Sequence, residues 1–179
     1  MPRRIVTGRA ADGRAVVVQD GQPPRTTALK HTPGFVSSLV WATPAQPAVP
    51  FAGTDPTPAV TSYVPEPGAT RVLHLVIPPD TVYRSEDFDP VAALAERLRT
   101  SPGLAELFEP DAPGMHTTDT VDYGVLLEGE IVLELDAGNE VTLAPGDVVV
   151  QNGTRHAWRN RSTSPATMLF VLIGARRNS

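Results

Sequence analysis

Apolar residues fall in short blocks or strict alternation along most of the chain, and turn residues cut each block after a few positions. This period-two pattern predicts strands. "GRAVVVQDG" (13–21) reads as a short strand closed by a turn, and "FVSSLVWATP" (35–44) as a second. "ATRVLHLVIPP" (69–79) is a strong strand, rich in branched residues and stopped by two prolines. "GVLLEGEIVLELD" and "EVTLAPGDVVVQ" flank the turn "DAGN" and predict a hairpin, with Ile131, Leu133 and Leu135 on a buried face and the opposite face partly wet. "TMLFVLIGA" (167–175) is continuously apolar and predicts a last, deeply packed strand.

One segment departs from this pattern. Residues 89–111, "DPVAALAERLRTSPGLAELFEPD", carry helix formers at helical spacing, with Leu94, Leu98, Leu104 and Leu107 as the apolar positions. Asp89–Pro90 and Ser101–Pro102 each give a cap followed by proline, so two short helices are expected, forming a lid or packing insertion. Residues 44–58 hold too many prolines for a central strand and predict a loop or edge arm. Nineteen prolines and fourteen glycines leave little room for long helices, and the chain reads as all-β, a closed barrel or jelly roll with a short helical insertion.

At 179 residues the chain can build one domain with a real core. Residues 1–60 are expected to form N-terminal strands and a proline-rich arm that packs on the barrel or on a partner subunit, and 61–179 the barrel itself. A formal charge of −5 argues against a nucleic-acid surface. The basic pairs Arg3–Arg4 and Arg176–Arg177 read as solvated tails. No apolar run approaches the roughly 20 residues that span a bilayer, and a cytoplasmic location is expected. The absence of cysteine removes thiolate chemistry, so any metal must be held by nitrogen and oxygen.

"HTTDTVDYGVLLEGE" (116–130) sets a histidine and two aspartates before a strand. His116, Thr118 and Asp122 share parity and can point into one cavity if the segment stays extended. "PGDVVVQNGTRHAWRN" returns through His156, Trp158 and Asn160, again of equal parity. Two imidazoles and a carboxylate can form a facial set that leaves coordination positions open. Asp122 as a turn-stabilising carboxylate and Asp119 as a solvated loop residue remain alternatives. Glu128 and Glu130 read as outward-facing, Asp147 as holding its turn, and Tyr123 as packing. His74 faces away from Leu73 and Leu75 and is a candidate for the cavity, as substrate contact or proton shuttle. Tyr63, Trp41 and Trp158 could line the same pocket.

At these residues the chain resembles the cupin superfamily. Gly114, His116, Thr118, Asp122 and Gly129 fall at or close to the first cupin motif. Pro145–Gly146–Asp147, Gly153, His156 and Asn160 match the second. The resemblance covers roughly residues 114 to 173. It implies a cupin jelly-roll β-barrel and a divalent transition metal (Zn, Fe, Mn, Ni or Co) held by His116, Asp122 and His156, with Thr118 facing the metal or its water. Four departures accompany it: Thr118 stands where the family usually has a second histidine, Asp122 replaces glutamate, Gln151 replaces a proline, and the stretch from Gly146 to Gly153 is one residue shorter than the common form.

The implied function is a metal-dependent enzyme acting on a small carbonyl- or ring-containing metabolite, as lyase, dehydratase, isomerase, cyclase or dioxygenase of a natural-product pathway. The alternative is a non-catalytic ligand-binding or sensory cupin. A sugar-nucleotide epimerase would need a histidine–tyrosine arrangement that is not evident here. A homodimer is expected from the resemblance and from the apolar N-terminal strand, which needs an edge to join.

Overall fold

The computed structural model describes residues 1–178 and is built almost wholly of antiparallel strands. The elements are β1 (Arg4–Arg9), β2 (Ala15–Gly21), β3 (Arg25–Ala28), β4 (Val36–Thr43), β5 (Thr70–Ile77), α1 (Pro90–Thr100), β6 (Thr120–Glu128), β7 (Ile131–Glu134), β8 (Glu140–Leu143), β9 (Val148–Asn152), β10 (Ala157–Arg159) and β11 (Ala166–Gly174). A six-stranded sheet runs β3-β4-β5-β11-β6-β9 and a three-stranded sheet β10-β7-β8. Strands β1 and β2 form a separate hairpin sheet. Chain-distant neighbours such as β5-β11-β6 give the strand-crossing order of a jelly roll, and the expected strands all appear.

The alternation in sequence decides which face is buried. β11 reads buried–half-buried through its length, sending Ala166, Met168, Phe170, Leu172 and Gly174 inward. Leu39, Leu73, Ile77 and Leu126 join them from β4, β5 and β6, and Ile131 and Leu143 oppose them from the small sheet. Val132 is buried as well as Ile131 and Leu133, so β7 is less wet on its second face than its alternation predicts.

The helical insertion is a corrected expectation. Asp89 caps α1, its Oδ1 accepting from the backbone N–H of Val91 and Ala92 at 2.9 and 3.0 Å. The second helix shrinks to one 3-10 turn, Ala105–Leu107. Leu94, Leu98 and Leu107 are exposed, while Ala93 and Glu96 are buried. The reason is polar: the Glu96 carboxylate accepts from the backbone N–H of Lys30 and His31 at 2.9 and 2.8 Å. Those bonds hold its pKa low although burial pushes it up.

Residues 44–58 form no strand, as their prolines require. Arg4 ties the N-terminal hairpin down, donating to Val40 O, Gln19 Oε1 and Asp55 Oδ2. Asp147 holds its turn by accepting from Ala144 N at 2.8 Å, and Glu128 and Glu130 are exposed, as expected. Tyr123 instead lies 45 % exposed on the outer face of the large sheet, because β6 turns its even-numbered residues inward. Arg177 is not a free tail residue. It donates to Asp119 Oδ1 at 2.6 Å and Thr118 O at 3.2 Å.

Asn160 locks the strand connections behind the site. Its Nδ2 donates to Ile77 O and Ser164 O at 2.9 and 2.8 Å, and its Oδ1 accepts from Ser162 N and Oγ. Asn160→Ala would take this donor from the buried Ile77 carbonyl, and the expected loss is about 1–3 kcal/mol in denaturant unfolding. A loss below about 0.5 kcal/mol would show the latch to be dispensable.

Candidate active site

The even-numbered face of β6 extends backwards past its start, so His116, Thr118, Thr120, Asp122, Gly124 and Leu126 are buried in turn. His116 then meets His156 across an antiparallel bridge in which each backbone N–H donates to the other's carbonyl at 3.0 Å. This bridge brings the two imidazoles to a centroid separation of 4.3 Å, tilted by 48°. Phe108 covers His116 at 4.5 Å on one side, and Trp158 meets His156 edge-on at 5.7 Å on the other.

Both histidines share one hydrogen-bond arrangement. His116 Nδ1 lies 3.1 Å from Gly114 O, and His156 Nδ1 2.9 Å from Thr154 O. A carbonyl only accepts, so Nδ1 carries the proton in each ring and Nε2 keeps its lone pair. Burial, reinforced by the neighbouring His156, lowers the His116 pKa to about 4, and burial also lowers that of His156. Two neutral imidazoles with ligating nitrogens unused are therefore present at neutral pH.

Asp122 shares the wall but does not join the pair. Among the described residues, no three His, Cys, Asp or Glu side chains lie close enough to share an ion. The fold brings the two histidines together, with Asp122 further along the same wall. The cause lies in the chain: aspartate is one methylene shorter than glutamate, and Thr118 and Thr120, bonded to each other at 2.7 Å, occupy the wall between the histidine and the carboxyl. Burial pushes the Asp122 pKa up to about 6, against the opposing pull of the Thr120 hydroxyl, and its Oδ1 has no hydrogen-bond partner.

His74 and Trp41 are not at this site. His74 pairs with Ser38 and Leu169 on the face of the sheet opposite Leu39, Leu73 and Phe170, where Ser38 is buried and His74 Nδ1 is buried without a partner. Its parity matches Val72 and Val76 as expected, but that face is the back of the sheet, where burial and the chain's amino terminus lower its pKa. A bulge at β4 sets Trp41 opposite Val72 on the same back face, where it meets Phe51 at 5.5 Å and Arg4. Tyr63 packs in the apolar core under the Arg25 guanidinium, 5.1 Å from its ring. Of the expected pocket aromatics, Trp158 alone touches a site histidine.

Three residues of the site carry little signal in the sequence. Phe108 gave no signal, because only the fold brings it to His116. Gln151 stood out only as a replaced proline, although a polar side chain on the inward parity of "VVVQN" marks it. It is 5 % exposed, faces Asp122 across β6 and β9, and its Nε2 has no partner. Arg155 clamps the edge of the site, with a bidentate pair to Glu109 at 2.7 Å and a third bond to Asp136 at 2.8 Å. That pair holds the Glu109 pKa low.

Comparison with known proteins adds to this geometry. The family model described as Cupin domain matches residues 106–172. Phomopsin biosynthesis cluster protein C' of Diaporthe leptostromiformis is 54 % identical over 63 residues, 35 % of this chain and 33 % of that protein. The matched segment thus spans about a third of that curated relative. The Cupin-domain-containing oxidoreductase srdB of Neurospora crassa is 31 % identical over 173 residues, 96 % of this chain and 73 % of that protein. A cupin 2 conserved barrel domain protein from Salinispora arenicola is similar in structure at TM-score 0.38 and 18 % identity, over 66 % of this chain and 69 % of that one. With likeness to srdB along nearly its whole length and both motifs on adjoining strands, the chain belongs to the cupin superfamily.

Proposed function

We propose that this protein is a metal-dependent cupin enzyme of natural-product biosynthesis that converts a small carbonyl- or ring-containing metabolite at the wall formed by His116, Thr118, Asp122 and His156. The observation that carries it is the pair of neutral imidazoles 4.3 Å apart, both with Nδ1 bound to backbone and Nε2 free. Relatives named as cupin-domain-containing oxidoreductases and biosynthesis cluster proteins support the pathway class.

A divalent transition metal fits this donor set through two nitrogens, His116 Nε2 and His156 Nε2. Its remaining positions fall to oxygen from water, substrate or the Thr118 hydroxyl. Such an ion would supply Lewis acidity toward a substrate oxygen, or a redox centre. The chain supplies the rest. Thr120 donates to Thr118, which leaves the Thr118 hydroxyl proton free to orient an oxygen on the wall. Asp122, with its pKa near 6, can hold or give up a proton within the neutral range. Trp158 and Phe108 flank the imidazoles and exclude water from them.

The test is metal content of protein purified without a histidine tag. One equivalent of a transition metal in the native chain, lost in both His116→Ala and His156→Ala with circular dichroism unchanged, is the expected result. Equal metal content in the folded variants would refute the assignment.

A further inference from the structure

Asp122 and Gln151 face each other on neighbouring antiparallel strands, which sets their Cβ atoms on the order of 5 Å apart on one face. Both are buried, at 7 % and 5 % exposure, and both point to the interior. Asp122 Oδ1 is an acceptor and Gln151 Nε2 a donor, and among the described residues neither has a partner. Buried polar atoms are nearly always paired, and each one left open costs stability. An open acceptor beside an open donor, more than nine-tenths buried on the wall that carries the histidines, is a complementary half of a hydrogen-bonded pair.

We propose that Asp122 and Gln151 together recognise a substrate edge that presents a hydrogen-bond donor next to an acceptor, as an unsubstituted lactam or other cis-amide does. The substrate N–H donates to Asp122 Oδ1 and its carbonyl accepts from Gln151 Nε2. This rests on the wall being the substrate site, but it requires no metal. Gln151 is then a specificity-determining residue. The usual proline at its position could donate nothing, so the substitution supplies the one group that reads a carbonyl beside the carboxyl. Charged or acceptor-only ligands are disfavoured, because they leave Gln151 or Asp122 unpaired.

The test uses the full chain, ¹⁵N-labelled and stripped of metal with EDTA, titrated with δ-valerolactam while the Gln151 side-chain NH₂ pair is followed by NMR. Saturable movement of that pair is expected. N-Methyl-δ-valerolactam, which keeps the carbonyl and deletes the donor, is expected to bind about tenfold more weakly. In folded Gln151→Leu the lactam is expected to lose about tenfold in affinity and the difference between the two compounds to shrink. An unmoved Gln151 pair, equal binding of both compounds, or undiminished binding in the variant would each overturn the proposal. If Gln151→Leu does not fold, the two wild-type titrations decide alone. Because metal is absent throughout, failure here is distinct from failure of the metal assignment, which the histidine variants test.

Discussion

Asp122→Asn is expected to stabilise the metal-free protein by about 3 kcal/mol at pH 8 and to lose that advantage by pH 4. The wild-type carboxyl has a folded pKa of about 6 against a model value of 3.8, because burial disfavours its charge. Between those values the folded state holds a proton that the unfolded state has released, so this group's contribution falls as pH rises. Above pH 6 the full penalty stands, about 3 kcal/mol at 1.36 kcal/mol per unit. Asparagine mimics the protonated form and carries no such penalty.

His116 runs in the opposite sense through nearly the same window. Its pKa falls from 6.5 to about 4, so the unfolded chain takes up a proton that the folded protein refuses. This contribution is lost as pH falls from 6.5 to 4. The two slopes are of similar size, and their sum is nearly flat between pH 4 and 6. Asp122→Asn exposes the histidine slope, so stability should climb with pH. His116→Gln removes one histidine slope and leaves that of His156, so its stability should rise less with pH than that of the wild type. Urea unfolding at half-unit pH steps reads both. Parallel curves for wild type and variants would show that neither group titrates abnormally in the fold.

Gly129→Ala is expected to destabilise the protein by roughly 2–5 kcal/mol, the sum of left-handed backbone strain and a backbone clash. Gly129 sits at φ +85°, and an added Cβ would lie 2.6 Å from Pro165 O and 2.9 Å from Ala166 Cα. Both atoms are main chain entering β11, the strand that joins β5 to β6. They cannot yield as a flexible side chain would. Thermal unfolding should show a midpoint lowered by about 10 °C. A shift under 2 °C would mean that the turn relaxes freely.

The strands were legible because their period-two pattern matches the faces they bury, as in β11. The meeting of His116 with His156 was legible because two motifs fixed the ends of strands that the jelly roll sets side by side. Parity alone does not say which face of β5 or β4 looks inward, and His74 and Trp41 lie on the face opposite Leu73 and Leu39. A bulge in β4 after Leu39 also changes its register, and no local signal marks it. The cap and the helix formers mark α1, but they do not show which stripe is buried. Glu96 is drawn in by backbone N–H groups more than sixty residues away. Equal parity puts Asp122 on the wall of the histidines, which is not the same as bringing their side chains together.

Arg155 fastens the strand of one histidine to Glu109, the residue after the phenyl ring that covers the other. Downstream of this rivet the wall is anchored, whatever the chain does before it. The segment before it is tied to the core as well, through the Tyr63 N–H on Pro102 O, buried Ala105 and Leu104 on the core cluster, so the ring over His116 is held from both sides.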